Sequence, residues 1–289
     1  VLNHDYLPIK ELDHLYFPIL RTIKVPSAKV VNTKFSFQEK SKPLTIKEVL
    51  AKKLGKKELS LLPHSQETVG RILILEMPLA LQKKEKIIAE EYLKLNSHVE
   101  TVVKKQDIHS GVYRTRKVKV LAGKRSKETI HLENGIKVKL HLERTYFSAR
   151  LGAERLRIAN QIKKPEDVLV MFSGAAPYPL VIARNSPASK IFGVEMNPLA
   201  HRYALDNIDL NKFGEKIKII QGNVRTVVPK IKKKFDRIAM PLPKTGEEFL
   251  DVSLPKLKSG GIVHLYAFLH EDQINKEARK IRQKCAQLK

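Results

Sequence analysis

The spacing of apolar residues separates the chain into two parts. From about residue 148 onward, short apolar runs alternate with stretches whose apolar residues recur at helical spacing. Such runs are typical of buried strands, and their alternation with helices is typical of βαβ units. Strands are predicted at 167–172, 190–195, 216–222, 236–241 and 261–269, and helices near 179–185 and at 197–211, 246–257 and 272–287. This order predicts an α/β fold with a doubly wound parallel sheet.

The first half of the chain has the pattern of an antiparallel structure. Residues 136–142 alternate strictly between apolar and polar side chains, with Lys137, Lys139 and His141 on the polar side. This alternation predicts a half-exposed strand, and the preceding Asn134–Gly135 pair predicts a hairpin turn. The basic face of this strand fits contact with solvent and contact with RNA equally well.

Turn residues divide the first half further. We predict a small N-terminal unit at 1–62, a linker at 62–70 and a middle α+β unit at 66–145. Strands are predicted at 15–19, 28–37, 71–77, 99–105, 111–123, 127–133 and 136–147, and helices at 45–54, with Thr45 as N-cap, and at 82–96.

The net charge of the chain indicates a class of binding partner. The chain has 55 Lys and Arg against 30 Asp and Glu, a net charge of +25. Residues 101–145 alone carry twelve basic and four acidic residues, so the excess is not confined to a tail. An excess of this size favours binding to a polyanion. Nucleic acid is the first candidate, an anionic membrane surface is the second, and a lysine-rich or heat-adapted surface is the alternative without a partner.

The single cysteine, Cys285, excludes a disulfide framework and a cysteine-rich metal site. No run of 18 apolar residues is present, and the first residues lack the apolar core of a signal peptide. The sequence therefore predicts a cytoplasmic protein without a membrane span, and it predicts no metal site.

The ends of the predicted parallel strands carry the candidate site residues. Ligands of such sheets bind where the carboxyl ends of the strands meet. Gly174 permits close backbone approach after the first strand, Glu195 ends the second strand and can accept from ribose hydroxyls, and Asn223 can meet an adenine edge. The segment "SGAAP" lacks the glycine spacing that seats a pyrophosphate, so a phosphate-free adenosyl cofactor, S-adenosylmethionine, fits best. Glu195 is equally consistent with a helix-capping acid.

The "MPLPK" segment at 240–244 follows the fourth strand, and its two prolines fix a rigid backbone. Such a backbone can present carbonyl oxygens to a flat base, or it can be a stiff connector between a strand and a helix.

Several motifs together resemble one family, the archaeal and eukaryotic tRNA guanine-N1 methyltransferases that act on the guanosine 3′ of the anticodon. These motifs are "LNHDYLPIKE" (2–11), "GVYRTR" (111–116), "ETIHLENG" (128–135), "YFSARLGAERLRIA" (146–159), "VEMNP" (194–198) and "PLPKTGEEFLD" (241–251). The resemblance covers essentially the whole chain. It implies a small tRNA-binding domain at 1–62, a middle α+β domain at 66–145 and a class I, Rossmann-like methyltransferase domain at 146–289.

The resemblance also assigns roles to residues. It implies that Glu154 is the general base for the guanine N1 proton, with a pKa raised by partial burial, and that Arg150 and Arg114 stabilise charge on the guanine O6. The target base is expected to leave the anticodon loop to reach the pocket. The implied cofactor-binding residues are Tyr146, Phe172, Gly174, Pro177, Glu195, Met196, Asn197, Asn223 and Pro241. The implied substrate-binding residues are Arg116, Arg155, Pro243 and Lys244.

The chain departs from the family pattern at four positions. Val170, Asn223 and Pro241 stand where the family usually has Asp, Asp and Asn, and Ala176 stands where a second glycine is common. These departures keep three alternatives open: carbon methylation of a tricyclic wyosine precursor, transfer of the aminocarboxypropyl group of the same cofactor, and a catalytically inactive tRNA-binding homologue. Both ends of the chain resemble truncated ends of the family, and a monomer is expected.

Overall fold

The computed structural model describes residues 2–22, 24, 26–40, 44–63, 65–106, 111–243 and 245–288. The chain divides into two compact units, residues 1–49 and 50–289. The helices are α1 (Ile46–Leu50), α2 (Lys56–Ser60), α3 (Glu85–Leu95), α4 (Gly152–Gln161), α5 (Pro177–Asn185), α6 (Pro198–Leu210), α7 (Val224–Val227), α8 (Leu250–Ser253) and α9 (Ile274–Gln287). The strands are β1 (Ile9–Glu11), β2 (His14–Tyr16), β3 (Gln66–Val69), β4 (Ile72–Leu75), β5 (Thr101–Lys105), β6 (Val118–Gly123), β7 (Glu128–Glu133), β8 (Ile136–His141), β9 (Asp167–Met171), β10 (Lys190–Glu195), β11 (Ile217–Gln221), β12 (Phe235–Met240) and β13 (Leu257–Leu265).

In the first unit, strands β1 and β2 form a short antiparallel pair. Tyr16 on β2 makes an edge-on ring contact with Phe35, with centroids 4.7 Å apart. The predicted N-cap is confirmed, because Thr45 and Glu48 bond reciprocally before and within α1. The predicted strand at 28–37 is wrong: this segment has no ladder partner, although its β-branched residues favour extended backbone.

The second unit begins with a four-stranded sheet in the order β3-β4-β5-β6. Only the β4–β5 pair is parallel. Helix α3 packs against β5 and β6. The predicted linker at 62–70 is corrected, since β3 lies inside it, and the predicted strand at 111–123 begins only at Val118.

Strands β7 and β8 form a separate hairpin whose turn is Asn134–Gly135. Both turn residues have left-handed φ angles, 44° and 77°, as a tight hairpin turn requires. Along β8 the apolar residues are buried and the lysines and His141 are partly or fully exposed. The alternation predicted for this strand is therefore confirmed.

The second half of this unit is a five-stranded parallel sheet in the order β11-β10-β9-β12-β13. The predicted α/β fold is confirmed. Strand β9 is central, and Val168, Leu169 and Val170 are fully buried in it. The predicted helix at 246–257 is mainly 3₁₀ turns around the four-residue α8, because Pro255 interrupts the helical pattern.

Two asparagines, one in α6 and one directly after its end, pair with the outer backbone edge of β8. Asn207 and Asn211, one helical turn apart, each accept from one β8 amide and donate to the carbonyl of the same residue. Asn207 is fully buried and also donates to the Ala175 carbonyl, 3.0 Å away. The hairpin is thereby tied to the loop that follows β9.

Within the described ranges, no helix combines the length and apolar character that a bilayer crossing requires.

Candidate active site

A cavity opens at the carboxyl ends of the parallel strands. Its volume is about 150 Å³. The lining residues are Val112, Tyr113, Arg114, Tyr146, Phe172, Gly174, Val194, Glu195, Met196, Asn197, Ala200, Gly222, Asn223, Val224, Pro241, Leu242 and Phe249. Eight residues predicted to bind a cofactor therefore meet around one cavity.

The loop between β9 and α5 forms one wall and has an unusual backbone. Phe172, Gly174 and Ala176 have left-handed φ angles of 61°, 57° and 67°. Only glycine adopts this region readily, so Phe172 and Ala176 store local strain, as residues at ligand sites often do. The conformation of Ala176 explains why a glycine is common at this position in the family that the sequence resembles.

Glu195 joins this loop to the start of α6. Its two carboxylate oxygens accept from the Gly174 and Asn197 amides, both at 2.7 Å. Burial raises the pKa of Glu195, and the backbone hydrogen bonds partly offset this. Asn197 is the N-cap of α6 and also donates to the Arg144 carbonyl. Glu195 was interpreted either as a ligand of ribose hydroxyls or as a helix-capping acid. In the structure Glu195 lines the cavity, and its carboxylate also accepts from the Asn197 amide just before α6.

Asn223 follows β11 and Pro241 follows β12, on either side of β10 and β9 in the sheet. Asn223 caps α7 through the Arg225 amide, at 2.9 Å. Pro241 follows β12 inside a tight turn that is closed by the Leu242 amide on the Met240 carbonyl. Val170, the fourth departure from the family pattern, is fully buried in β9, which is incompatible with an unpaired carboxylate.

The predicted catalytic residues occupy two places. Arg114 follows a turn at 111–114 and lines the cavity with Tyr146. Arg150 is exposed in the 3₁₀ turn Ala149–Leu151, one turn before Glu154 on α4. Neither Arg150 nor Glu154 is among the residues that line the cavity.

Glu154 is the centre of a hydrogen-bonded cluster. Arg157 Nε donates to Oε2 at 2.7 Å, and Arg157 Nη2 donates to Oε1 at 2.8 Å. The Tyr266 hydroxyl also donates to Oε1, at 2.7 Å, and accepts from the Tyr178 hydroxyl at 3.3 Å. The predicted raised pKa of Glu154 is wrong: the Arg157 hydrogen bonds lower it, Tyr266 adds to this, and partial burial does not outweigh them.

A second buried network lies next to this cluster. Arg237 donates to the Glu166 carboxylate at 2.8 Å, and its Nη1 is 2.7 Å from His264 Nε2. Burial and the neighbouring Arg237 charge lower the pKa of His264 to about 4. His264 is therefore neutral near pH 7.

Two of the arginines predicted to bind substrate are in buried ion pairs. Arg155 is 1 % exposed; its Nε and Nη2 donate to the two Glu133 oxygens at 2.6 and 2.5 Å, and it stacks on Phe147. Arg116 is 6 % exposed and pairs with Glu67 at 3.3 Å. The structure gives both side chains a structural role in this state, since a buried guanidinium needs its carboxylate partner.

Three other predicted residues lie away from the cavity or outside the described residues. Pro177 is buried as the first residue of α5, where proline is favoured, and is not among the residues that line the cavity. Pro243 accepts from the Phe268 amide and does not line the cavity either. Lys244 lies outside the described residues.

Sequence reasoning did not find Phe249, Val224, Arg157 or Tyr266. Phe249 contacts Phe172 edge-on, with ring centroids 5.0 Å apart, and Arg225 stacks on its other side. Tyr266 directly follows β13, so the rule that strand ends meet at one edge could have placed it near the site. No local pattern indicates that Arg157 turns back towards Glu154.

Comparisons with known proteins identify the family of the chain. The TRM5/TYW2 methyltransferase domain matches residues 129–289, and the TYW2 N-terminal domain matches residues 46–126. The chain is 37 % identical over 207 residues to the tRNA (guanine(37)-N(1))-methyltransferase Trm5b of Pyrococcus abyssi, a match that covers 72 % of this chain and 61 % of that protein. The crystal structure of that protein matches with a TM-score of 0.77 at 32 % identity, over 99 % of this chain and 83 % of the other.

Two further matches are to a complex with tRNA and to an enzyme of another activity. The structure of the complex of aTrm5 and tRNALeu matches with a TM-score of 0.73 at 30 % identity, over 96 % of this chain and 84 % of that one. The tRNA(Phe) (4-demethylwyosine(37)-C(7)) aminocarboxypropyltransferase of Pyrococcus horikoshii is 32 % identical over 232 residues, covering 80 % of this chain and 81 % of that protein. The chain belongs to the TRM5/TYW2 methyltransferase family.

Proposed function

We propose that this chain transfers a methyl group from S-adenosylmethionine to N1 of the guanosine immediately 3′ of the tRNA anticodon, position 37. The observation that carries the proposal is the cavity in which Arg114, Tyr146, Glu195 and Asn223 meet at the carboxyl edge of the sheet. The family of the chain and its net charge of +25 support the choice of a tRNA substrate.

The cavity fits an adenosyl group. Val194, Val224 and Phe249 provide apolar walls, and the Glu195 carboxylate is positioned to accept from ribose hydroxyls. We assign the adenine edge to Asn223, which lines the cavity, and the absence of a glycine-rich phosphate loop between β9 and α5 suits a cofactor without phosphates. When bound, the cofactor supplies a methyl group whose bond to sulfur breaks, and the sulfur keeps the electron pair.

The residues of this chain must then remove a proton from the guanine and stabilise the charge that develops on it. N1 of guanine carries a proton at neutral pH, so a base must remove it as the new bond forms. We assign this role to Glu154, and we assign Arg114 and Arg150 to the negative charge that develops on O6. Arg116 and Arg155 support the fold, and their substrate contacts remain predictions.

The other parts of the chain are assigned by the same proposal. Residues 1–62 contact the tRNA outside the anticodon loop, the middle part at 66–145 carries Arg114, and residues 146–289 bind the cofactor. We also propose that the protein acts as a monomer in the cytoplasm.

One other activity has a specific observation in its favour. The match of residues 46–126 to the TYW2 N-terminal domain favours aminocarboxypropyl transfer from the same cofactor. Carbon methylation of the wyosine precursor would use the same pocket. The experiment must therefore distinguish which carbon group leaves the cofactor and which atom accepts it.

The test compares two labelled cofactors on two tRNA substrates. Cofactor labelled in the methyl group or in the carboxyl carbon is incubated with an unmodified transcript that has G37, and with a tRNA that carries 4-demethylwyosine. Nucleosides are then identified by mass spectrometry. We expect methyl label in N1-methylguanosine from the wild type and none from Glu154→Gln, while the exposed control Glu215→Gln retains activity. Carboxyl label in the product would favour aminocarboxypropyl transfer instead, and binding of tRNA without any transfer would favour the inactive homologue.

A further inference from the structure

The Glu154 carboxylate is held at three points, and the contacts are unequal between its two oxygens. Oε1 accepts from both Arg157 Nη2 and the Tyr266 hydroxyl, whereas Oε2 accepts from Arg157 Nε alone. A carboxylate oxygen has about two acceptor sites. Counting the contacts of the described residues, both acceptor sites of Oε1 are therefore occupied, whereas Oε2 can accept one more hydrogen bond.

The donors come from different parts of the fold and keep their protons. Arg157 lies on the same helix as Glu154, and Tyr266 follows the edge strand β13, 112 residues further along the chain. Burial and the neighbouring hydroxyl of Tyr178 raise the pKa of Tyr266, so its hydroxyl remains a donor over the range in which proteins are stable. Tyr178 in turn donates to Tyr266 and fixes the direction of that hydroxyl.

We propose that Arg157 and Tyr266 are positioning residues for the methyl transfer, which hold Glu154 so that Oε2 is the atom that takes the guanine N1 proton. This inference rests on the proposed function. In the step, the proton passes from N1 to Oε2 as the bond from N1 to the methyl carbon forms and the methyl–sulfur bond breaks. The Glu154 side chain is 24 % exposed, which leaves its carboxylate accessible to a guanine of the tRNA.

The arrangement sets the strength of the base as well as its direction. Arg157 and Tyr266 stabilise the charged carboxylate and so keep its pKa low, with Arg157 as the larger cause. A weakly basic Glu154 is in its ionised, proton-accepting form throughout the neutral range. Removing either donor should raise the pKa at which the rate of methyl transfer falls on acidification.

The other groups that face Glu154 do not account for such a change. His264 on β13 has a pKa of about 4 and is neutral above pH 5, and Tyr178 on α5 has a raised pKa. Arg157 itself stays charged, because its pairing with Glu154 raises its pKa. Because the Arg157 charge also helps to lower the pKa of His264, each donor variant is measured with His264→Gln as well, and a titration that persists there reports Glu154.

The experiment measures single-turnover methyl transfer to the G37 transcript from pH 3.5 to 9, at saturating cofactor and tRNA, so that the range includes acid pH, where the lowered pKa of Glu154 places the wild-type midpoint. In Arg157→Gln we expect the acid midpoint of the rate to move up by about one pH unit, a tenfold change in the proton concentration at half-maximal rate. Tyr266→Phe should move the midpoint less than Arg157→Gln does, and Tyr178→Phe should move it still less. Arg157→Lys keeps a positive charge, so its midpoint should lie between those of the wild type and Arg157→Gln. Arg202→Gln, an exposed arginine on α6, is the charge-matched control and should leave the profile unchanged.

The outcomes separate this inference from the proposed function. If Glu154→Gln is inactive while Arg157→Gln and Tyr266→Phe keep the wild-type midpoint, the positioning roles are refuted. The assignment of Glu154 as the general base then still holds. If Glu154→Gln is as active as the wild type, the assignment of the base fails and the positioning roles fail with it. A lower rate at every pH with an unchanged midpoint would indicate only a structural role for the two donors, which also overturns the inference.

Discussion

The cofactor cavity and the Glu154 cluster both include residues that follow strands of the parallel sheet, but they are built differently. The cavity is shaped by backbone: the left-handed loop at 172–176, the amides that Glu195 accepts from, and the turn at Pro241. The Glu154 cluster is built from long side chains that start on α4, α5 and the end of β13. Backbone geometry follows from short sequence motifs, whereas a side-chain network depends on contacts between distant segments.

The largest expected effect tests whether side-chain pairs hold the Glu154 side of the site together. In Arg155→Ala, the Glu133 carboxylate loses its bidentate partner inside the protein. Breaking a buried pair in this way should lower the free energy of unfolding by about 3–5 kcal/mol. Urea denaturation followed by circular dichroism measures the loss.

The neighbouring arginine provides the control for this prediction. Arg157 is 53 % exposed on its side chain and pairs with Glu154 three residues earlier. Arg157→Ala should change the free energy of unfolding by less than about 1 kcal/mol. Equal losses for Arg155→Ala and Arg157→Ala would contradict the buried role of Arg155. The double change Arg155→Met with Glu133→Leu should recover part of the loss, since it removes both charges.

This difference also explains how far the sequence could be read. Gly174, Glu195 and Asn223 were predicted to lie together because each lies at or shortly after the end of a parallel strand, and the strand ends meet at one edge. The hairpin turn at Asn134–Gly135 was predicted for the same local reason. The lowered pKa of Glu154 could not be predicted, because it depends on which rotamer Arg157 adopts and on Tyr266 far along the chain. The burial of Arg116 and Arg155 likewise depends on Glu67 and Glu133 in other strands.

The next largest effect is a pH dependence of stability that comes from His264, in the side-chain network next to Glu154. His264 has a folded pKa of about 4, below its ordinary value near 6.5, so the unfolded chain binds more protons between these values. The contribution is fully present above pH 6.5 and is lost as the pH falls towards 4. Its upper limit is about 3 kcal/mol, from 1.36 kcal/mol for each pH unit. Unfolding free energies measured at several pH values should fall across this window.

His264→Gln tests the origin of that slope. Glutamine can still accept from Arg237 but does not titrate. The slope of unfolding free energy between pH 6.5 and 4 should therefore become shallower in the variant. An unchanged slope would show that other groups, and not the network of Arg237 with His264, determine the acid sensitivity.

A smaller effect examines the cavity side. Both Glu195 oxygens accept backbone amides, so in Glu195→Gln the new amide nitrogen must face one of these N–H donors. An unsatisfied buried donor costs about 1–3 kcal/mol, and we expect cofactor affinity to fall by about 10- to 100-fold. Isothermal titration with S-adenosylhomocysteine measures the affinity. Glu154→Gln should bind this ligand as the wild type does, and a comparable loss in both variants would remove the distinction between the two regions.

The smallest effect isolates the backbone of the loop from its packing. In Gly174→Ala the added methyl group would lie 3.6 Å from the Tyr146 carbonyl oxygen, an ordinary contact, so space is not limiting. The φ angle of 57° is the remaining cost, and a left-handed alanine is about 1–2 kcal/mol less favourable. Gly214→Ala, where the added methyl group meets nothing within 4 Å, is the control and should leave stability almost unchanged. A loss well above 2 kcal/mol in Gly174→Ala would mean that close packing shapes the loop, and no loss would mean that the loop relaxes out of its left-handed conformation. A loss near the expected value would show that backbone conformation alone sets this wall of the cavity, in contrast to the side-chain contacts that hold Glu154.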